Sequence, residues 1–148
     1  MARLKQPAET STYHFHNENP RGLRSGDCVF RAIATLTGKS WDEVYDLLCE
    51  KGRDIKCPPN DTATYEKVLR DLGYVKMPSP KKADRRKYTA SEFMKIFKGT
   101  AVAHVGGHHM TAFVKGKVWD IWNCSAGSVG NFWCSEQDAE EFRRKLIN

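Results

Sequence analysis

The sequence lacks the long apolar stretches by which membrane and secreted proteins are recognised. A membrane-spanning helix needs roughly 18 or more consecutive apolar residues, and no run in this chain of 148 residues approaches that length. Residues 1–7 contain no apolar central stretch of the kind found in a secretory signal. These absences predict a soluble, cytoplasmic protein that has no membrane partner.

Cysteine is present, but not in the pattern of a disulfide framework or a zinc finger. Small secreted scaffolds usually carry an even and denser set of cysteines, and structural zinc sites usually use paired cysteines and histidines. Here the cysteines are odd in number and include no C-x-x-C pair: they are Cys28, Cys49, Cys57, Cys124 and Cys134. The pattern predicts free thiols in a reducing compartment, with neither a cofactor nor a bound metal.

Positive charge is concentrated in residues 81–87, which we name the basic segment. A compact group of cations attracts acidic partners over long distances. No RNA-recognition or helix-turn-helix pattern accompanies the segment, so an acidic protein is the expected partner rather than nucleic acid; the alternative is an ordinary solvated loop. The chain has a formal net charge of +6, and the cations of the segment are Lys81, Lys82, Arg85, Arg86 and Lys87.

The length and the apolar content of the chain fit a single folded domain. Residues 1–24 are polar and carry neither helical nor strand periodicity, which predicts an extended N-terminal arm, and residues 25–148 are predicted to form the domain. Apolar residues at helical spacing, capping boxes and glycine stops predict helices in the ranges 28–37, 40–52, 60–73, 89–97 and 135–145.

Between residues 100 and 122 the apolar period becomes that of β-strands. Three short strands are predicted at 100–105, 109–114 and 118–122, with turns at 106–107 and 115–116. Helices that precede an antiparallel sheet along the chain are typical of the α+β class.

Cys28 differs from the other cysteines because it lies where a glycine-containing loop enters a predicted helix. The free N–H groups and the dipole at a helix N-terminus stabilise a thiolate. The same N–H groups can bind an oxyanion that develops on an attacked carbonyl. Cys28 is therefore the candidate nucleophile; the alternative is a buried structural thiol at the start of an amphipathic helix.

His109 begins the second predicted strand, where it can act as a base toward a thiol carried by a helix. The next strand offers two residues that could orient the imidazole, Asp120 and Asn123. A two-residue turn at 115–116 places Asp120 on the face of His109, whereas a turn longer by one residue would place Asn123 there. We favour Asp120, and the same parity favours His109 over its neighbour His108 as the base.

Residues 26–33, Gly-Asp-Cys-Val-Phe-Arg-Ala-Ile, resemble the nucleophile motif of ovarian-tumour-type deubiquitinases. The order of a Cys on an early helix, then a His and an Asp or Asn on later strands, resembles papain-like cysteine peptidases more broadly. That superfamily includes bacteriocin-processing peptidases and small phage-associated relatives. The resemblance spans about residues 25 to 124, and it implies a papain-like fold in which N-terminal helices pack on a small antiparallel sheet.

The resemblance implies a thiol peptidase or isopeptidase that acts on a protein or peptide substrate. Cys28, His109 and either Asp120 or Asn123 would form the triad, and the reaction would pass through a thioester without a cofactor or a metal. Asn19 or the backbone N–H of Cys28 would bind the oxyanion. The alternative is a weakly active or inactive papain-like binding module, which would engage an acidic protein or nucleic acid through the basic segment.

Overall fold

Helices and strands form a mixed α+β arrangement, as the sequence predicts for the fold class. The computed structural model describes residues 6–147, and no helix in this part of the chain is long and apolar enough to cross a membrane. In chain order its elements are β1 (Tyr13–Phe15), α1 (Cys28–Thr37), α2 (Trp41–Ile55), α3 (Thr62–Asp71), β2 (Val75–Met77), α4 (Ala90–Phe93), β3 (Thr100–Val105), β4 (His109–Val114), β5 (Lys117–Asp120), β6 (Val129–Cys134) and α5 (Glu136–Ile147).

Two of the helices begin at the capping boxes that the sequence predicts. The Ser40 side chain accepts a hydrogen bond from the backbone of Glu43, and the Glu43 side chain accepts one from the backbone of Ser40. Thr89 and Glu92 repeat this arrangement at the start of α4. Reciprocal bonds of this kind satisfy two of the N–H groups that a helix start leaves without partners. Both predicted capping boxes are confirmed.

The sheet is larger than predicted and is not purely antiparallel. Its strands are ordered β1-β5-β4-β3-β6-β2, and β1 runs parallel to β5 while the other pairs are antiparallel. The prediction of a small antiparallel sheet is corrected to a mixed sheet of six strands within the described residues. The sequence analysis missed β1 and β2, which have only three residues each, and β6, whose residues do not alternate between apolar and polar.

The turn between β4 and β5 has the two-residue length that the sequence predicts. Val114 pairs with Lys117, and the two residues between them both have positive φ, 48° at Lys115 and 84° at Gly116. Positive φ at both positions is the requirement of a type I′ hairpin turn. This turn sets the register of β5 and places Asp120 on the same face as His109.

Both faces of the sheet are covered, so the strands that carry the site are rigidly held. On one face α1, α2 and α3 pack around Val102, Met110 and Ala112, together with other apolar residues. The other face holds a cluster of aromatic rings contributed by α4, α5 and the strands: Phe93, Phe97, Phe113, Phe132 and Phe142. Helix α1 packs directly on β4, which brings the helix that begins at Cys28 against the strand that begins at His109.

Part of the N-terminal arm belongs to the sheet. Residues 1–5 of the predicted arm lie outside the described residues, but Tyr13 is fully buried in the core and β1 pairs with β5 along its whole length. The Tyr13 hydroxyl donates a hydrogen bond of 2.9 Å to the backbone carbonyl of Asp120. The arm therefore supports the strand that carries a candidate site residue.

Candidate active site

Three of the four candidate residues occupy the ends of their elements and meet at one place. Cys28 is the first residue of α1, His109 is the first residue of β4, and Asp120 is the last residue of β5. Cys28 and His109 are partly buried, whereas Asp120 is only 3% exposed. Because each of these residues lies at the end of a helix or strand in the packed core, its side chain is held in a fixed place, as a preorganised site requires.

The imidazole of His109 is oriented by Asp120. Nε2 of His109 donates to Oδ2 of Asp120 over 2.6 Å, which leaves Nδ1 as the second ring nitrogen. Burial alone would lower the pKa of the imidazole. Its interactions with Asp120, Cys124 and Cys28 outweigh burial and raise the pKa to about 11. The imidazolium form is therefore favoured at neutral pH.

Cys28 lies in surroundings that favour its thiolate. Burial alone would raise the pKa of this thiol. Interaction with the His109 imidazole and with the backbone of Met110 outweighs burial, so the pKa lies below its ordinary value. The position at the start of α1 acts in the same direction, because the helix dipole stabilises a negative charge there. The lowered pKa of Cys28 and the raised pKa of His109 are shifts in the directions that favour a thiolate–imidazolium pair.

Asp120 is itself held by groups that the sequence analysis did not single out. Its Oδ1 accepts hydrogen bonds from the backbone N–H of Ile121, at 2.7 Å, and from Nη1 of Arg31, at 2.9 Å. Arg31 is only 7% exposed, and its Nε donates over 2.7 Å to Oδ1 of Asp27. A buried cation thus joins Asp120 to Asp27, the residue that precedes the candidate nucleophile. The signal in the sequence is the spacing of four between Asp27 and Arg31, which allows an ion pair on α1.

Asp27 is a second buried carboxylate, and it accepts hydrogen bonds from three side chains. Besides Arg31, it accepts from Nδ2 of Asn19 and from Nε1 of Trp41, each over 3.0 Å. Burial raises the pKa of Asp27, but these hydrogen bonds and the Arg31 charge outweigh it and lower the pKa. Asn19, one of the two candidate oxyanion donors, therefore uses an amide N–H to bind Asp27.

Asn123 lines a groove beside His109, but its side chain is hydrogen-bonded elsewhere. Its side chain is exposed, and its Oδ1 accepts hydrogen bonds from the backbone N–H and the hydroxyl of Ser125, at 3.1 Å and 2.5 Å. His108 is also exposed, in the turn before β4. Of the alternatives that the sequence left open, His109 and Asp120 are joined by a hydrogen bond, whereas within residues 6–147 His108 and Asn123 lie at the groove without a hydrogen bond to either residue.

A groove of about 520 Å³ opens beside His109. The ring of Trp122 lies 4.9 Å from the imidazole, tilted by 53°, and remains 44% exposed. Small residues line much of the rest of the groove, among them Gly106, Ala126 and Gly127. The groove leaves one side of the His109 imidazole open to solvent.

The thiol of Cys124 is a further group near the pair of His109 and Asp120. Its Sγ lies 3.9 Å from Oδ2 of Asp120, and one donor atom from each of the three residues lies within 4.8 Å of the other two. Imidazole nitrogen, carboxylate oxygen and thiolate sulfur are all zinc ligands. These three side chains could hold a metal ion, although the sequence pattern predicted no metal.

The basic segment forms a tight hairpin. The backbones of Lys81 and Lys87 pair in an antiparallel β-bridge, and Arg85 adopts a φ of 71° within the turn between them. Lys82 pairs with Glu92 over 2.5 Å, and Arg86 pairs with Asp84 over 2.7 Å. Within residues 6–147 the remaining cations of the segment, Lys81, Arg85 and Lys87, form no ion pair and are exposed.

Comparison of the chain with models of protein families, with curated proteins and with solved structures gave no match. The candidate function therefore depends on the geometry and the electrostatics of the site.

Proposed function

We propose that the protein is a papain-like cysteine hydrolase, a peptidase or isopeptidase that uses Cys28, His109 and Asp120. One observation carries this proposal: the His109 imidazole bonds a buried carboxylate at 2.6 Å, and the helix that begins at Cys28 packs directly on the strand that begins at His109. A nucleophile, a base and a residue that orients the base are the three parts of a catalytic triad.

In the first half of the reaction, the Cys28 thiolate attacks the carbonyl carbon of a substrate amide. A carbon–sulfur bond forms, and negative charge moves to the carbonyl oxygen. The backbone N–H of Cys28 donates to no internal acceptor within the described residues, so it is available to donate to this oxygen. Nδ1 of the His109 imidazolium then gives its proton to the amide nitrogen, the carbon–nitrogen bond breaks, and the amine leaves.

In the second half of the reaction, water hydrolyses the thioester. His109, now neutral, takes a proton from the water as the oxygen attacks the thioester carbon. The carbon–sulfur bond breaks, the carboxylic acid product leaves, and the thiolate–imidazolium pair is restored. Asp120 remains ionised throughout, and its hydrogen bond holds Nε2 so that Nδ1 faces the reacting atoms.

A peptide-library digestion tests this proposal, because it samples many peptide sequences at once and needs no identified substrate. The wild-type protein and the Cys28→Ala variant are incubated with peptides derived from a whole proteome, and new termini are identified by mass spectrometry. We expect a reproducible set of cleavages that is absent from the Cys28→Ala digest. The same cleavages in both digests would contradict the assignment of Cys28.

A second candidate function is a binding module that uses the basic segment. The observation in its favour is the exposure of Lys81, Arg85 and Lys87, which within residues 6–147 form no ion pair. Such a module would bind an acidic protein in a salt-dependent way, and the Cys28→Ala variant would bind equally well. Binding of this kind, together with the absence of Cys28-dependent cleavage, would favour the module over the hydrolase.

A further inference from the structure

The thiol of Cys124 has no part in the proposed reaction, yet it lies beside the two residues that control the nucleophile. Its Sγ is 3.9 Å from Oδ2 of Asp120, the same oxygen that accepts the hydrogen bond from His109. Cys124 and Asp120 are each only 3% exposed. A soft sulfur donor, a nitrogen donor and a hard oxygen donor are thus held together at one point.

The spacing of these donors is close to that of a zinc site. All three donor atoms lie within 4.8 Å of one another. Zinc binds nitrogen and oxygen at about 2.0–2.2 Å and sulfur at about 2.3 Å, so tetrahedral ligand atoms lie roughly 3.3–3.7 Å apart. The ion would replace the proton between Nε2 and Oδ2, which would move apart, while the sulfur moves closer.

Two further features suit a metal ion at this position. The groove beside His109 is also lined by Cys124, so two of the three donor residues border open space that can hold a water molecule as the fourth ligand. Arg31 binds Oδ1 of Asp120, which leaves Oδ2 directed to His109 and Cys124. A hydrogen bond that orients a metal-binding carboxylate in this way is typical of established sites.

We propose that His109, Asp120 and Cys124 form an inhibitory site for zinc, which regulates the hydrolase by occupying its base. The regulatory role rests on the proposed function, whereas the binding itself does not. Zinc on Nε2 uses the lone pair that the imidazole needs in order to hold a second proton. His109 can then no longer pass a proton between the nucleophile and the leaving amine, and Asp120 no longer orients it.

Cobalt and zinc titrations test the site without any substrate. Co²⁺ reports on a thiolate ligand through a charge-transfer band in the near ultraviolet, and Zn²⁺ affinity follows from competition with a chromophoric chelator. The Cys124→Ala variant is compared with Cys28→Ala and with Cys134→Ala, a matched control at a buried thiol near the opposite end of the sheet. Thermal melting of each variant shows that it remains folded.

We expect the wild-type protein to bind one metal ion per chain, with a thiolate band that persists in Cys28→Ala and Cys134→Ala. Cys124→Ala should lose the band and at least about 100-fold in zinc affinity, because the loss of a direct ligand exceeds the 10–100-fold typical of outer-shell changes. Zinc bound through Cys28 instead, or no binding at all, would overturn the site. Metal binding that persists where Cys28-dependent cleavage is absent would overturn the proposed function and its regulation, but not the site.

Discussion

Asp120 accepts hydrogen bonds on both carboxylate oxygens, and these bonds hold the carboxylate in place. The His109 imidazole binds Oδ2, while Arg31 and the backbone of Ile121 bind Oδ1. Burial raises the pKa of this carboxyl, but the His109 hydrogen bond and the neighbouring charges outweigh it and keep the group ionised. A fixed, ionised carboxylate stabilises the imidazolium and selects its orientation.

Replacing Asp120 should therefore damage the reaction more than replacing Asn123. We expect Asp120→Ala to lower kcat by on the order of 10²-fold or more, the range of general acid–base contributions. Asn123→Ala should have a much smaller effect, because the Asn123 side chain is exposed and binds Ser125. Steady-state kinetics on a cleaved peptide measures both variants, and a larger loss for Asn123→Ala while both remain folded would contradict this assignment.

Arg31 is predicted to be required for stability as well as for the site. It is the cation that Asp27 and Asp120 share in the interior. Arg31→Met leaves two buried carboxylates without their common partner, and breaking a buried ion pair typically costs about 3–5 kcal/mol. We expect a loss of this size in the free energy of unfolding, measured by urea denaturation at neutral pH.

Arg144 provides the matched control for this measurement. It is exposed on α5, where it pairs with Glu140 over 3.8 Å. Exposed pairs contribute about 0–1 kcal/mol, so Arg144→Met should scarcely change the urea midpoint. Equal losses for the two variants would show that Arg31 stabilises the protein no more than a surface cation does.

At the scale of elements, the turn between β4 and β5 decides which residue faces His109. Gly116 has a φ of 84°, and a Cβ at this position would lie 3.3 Å from the carbonyl oxygen of Met94 and closer still to the Lys98 side chain. Gly116→Ala should lower the free energy of unfolding by about 1–3 kcal/mol, the usual cost of strain at a position that requires positive φ.

Gly26 serves as the comparison for the turn variant. An added Cβ at Gly26 would meet no atom within 4 Å, and its φ lies outside the positive region. Gly26→Ala should leave the denaturation midpoint nearly unchanged. If Gly116→Ala also left the denaturation midpoint unchanged, the turn would not require glycine at position 116, and this account of how the turn sets the register would be wrong.

The basic segment is predicted to act through its charge. If it recruits an acidic substrate, Arg85→Glu combined with Arg86→Glu should slow capture, and more strongly at low salt, because screening weakens long-range attraction. Turnover at saturating substrate should hardly change. Salt-dependent kcat/KM measures this effect, with the charge reversals Arg143→Glu and Arg144→Glu on α5 as the control; equal losses at high and low salt would indicate a packing role.

Short-range sequence patterns correctly predicted two helix starts and one hairpin turn. The capping boxes at Ser40 and Thr89 and the turn at 115–116 depend on residues within a few positions of one another, and the structure confirms them. Strands β1 and β2 have only three residues each, and their partners lie far away in the chain. Sequence periodicity cannot indicate such strands, because tertiary pairing rather than local propensity creates them.

At the scale of the whole molecule, the site also combines features set by neighbouring residues with contacts made only by folding. Cys28, His109 and Asp120 were selected by their places at element ends and by strand parity, which are local properties. Arg31 binds Asp120 across 89 positions of sequence, and Tyr13 binds it across 107. No spacing rule predicts such contacts. The contacts that hold Asp120 therefore became visible only in the folded chain.

The central claim is that Cys28 is an activated nucleophile because His109 lies beside it. An ordinary thiol, with a pKa near 8.5, is on the order of 0.3% ionised at pH 6, whereas the lowered pKa of Cys28 favours its thiolate. Limited alkylation with iodoacetamide at pH 6, followed by peptide mapping, compares all five cysteines in one sample.

This measurement is carried out on the wild-type protein and on His109→Ala. We predict that Cys28 is alkylated at least about 10-fold faster than any other cysteine, and that His109→Ala removes this advantage, because the thiolate loses its cationic partner. Faster labelling of Cys49, Cys57, Cys124 or Cys134, or a Cys28 rate that His109→Ala leaves unchanged, would contradict the account.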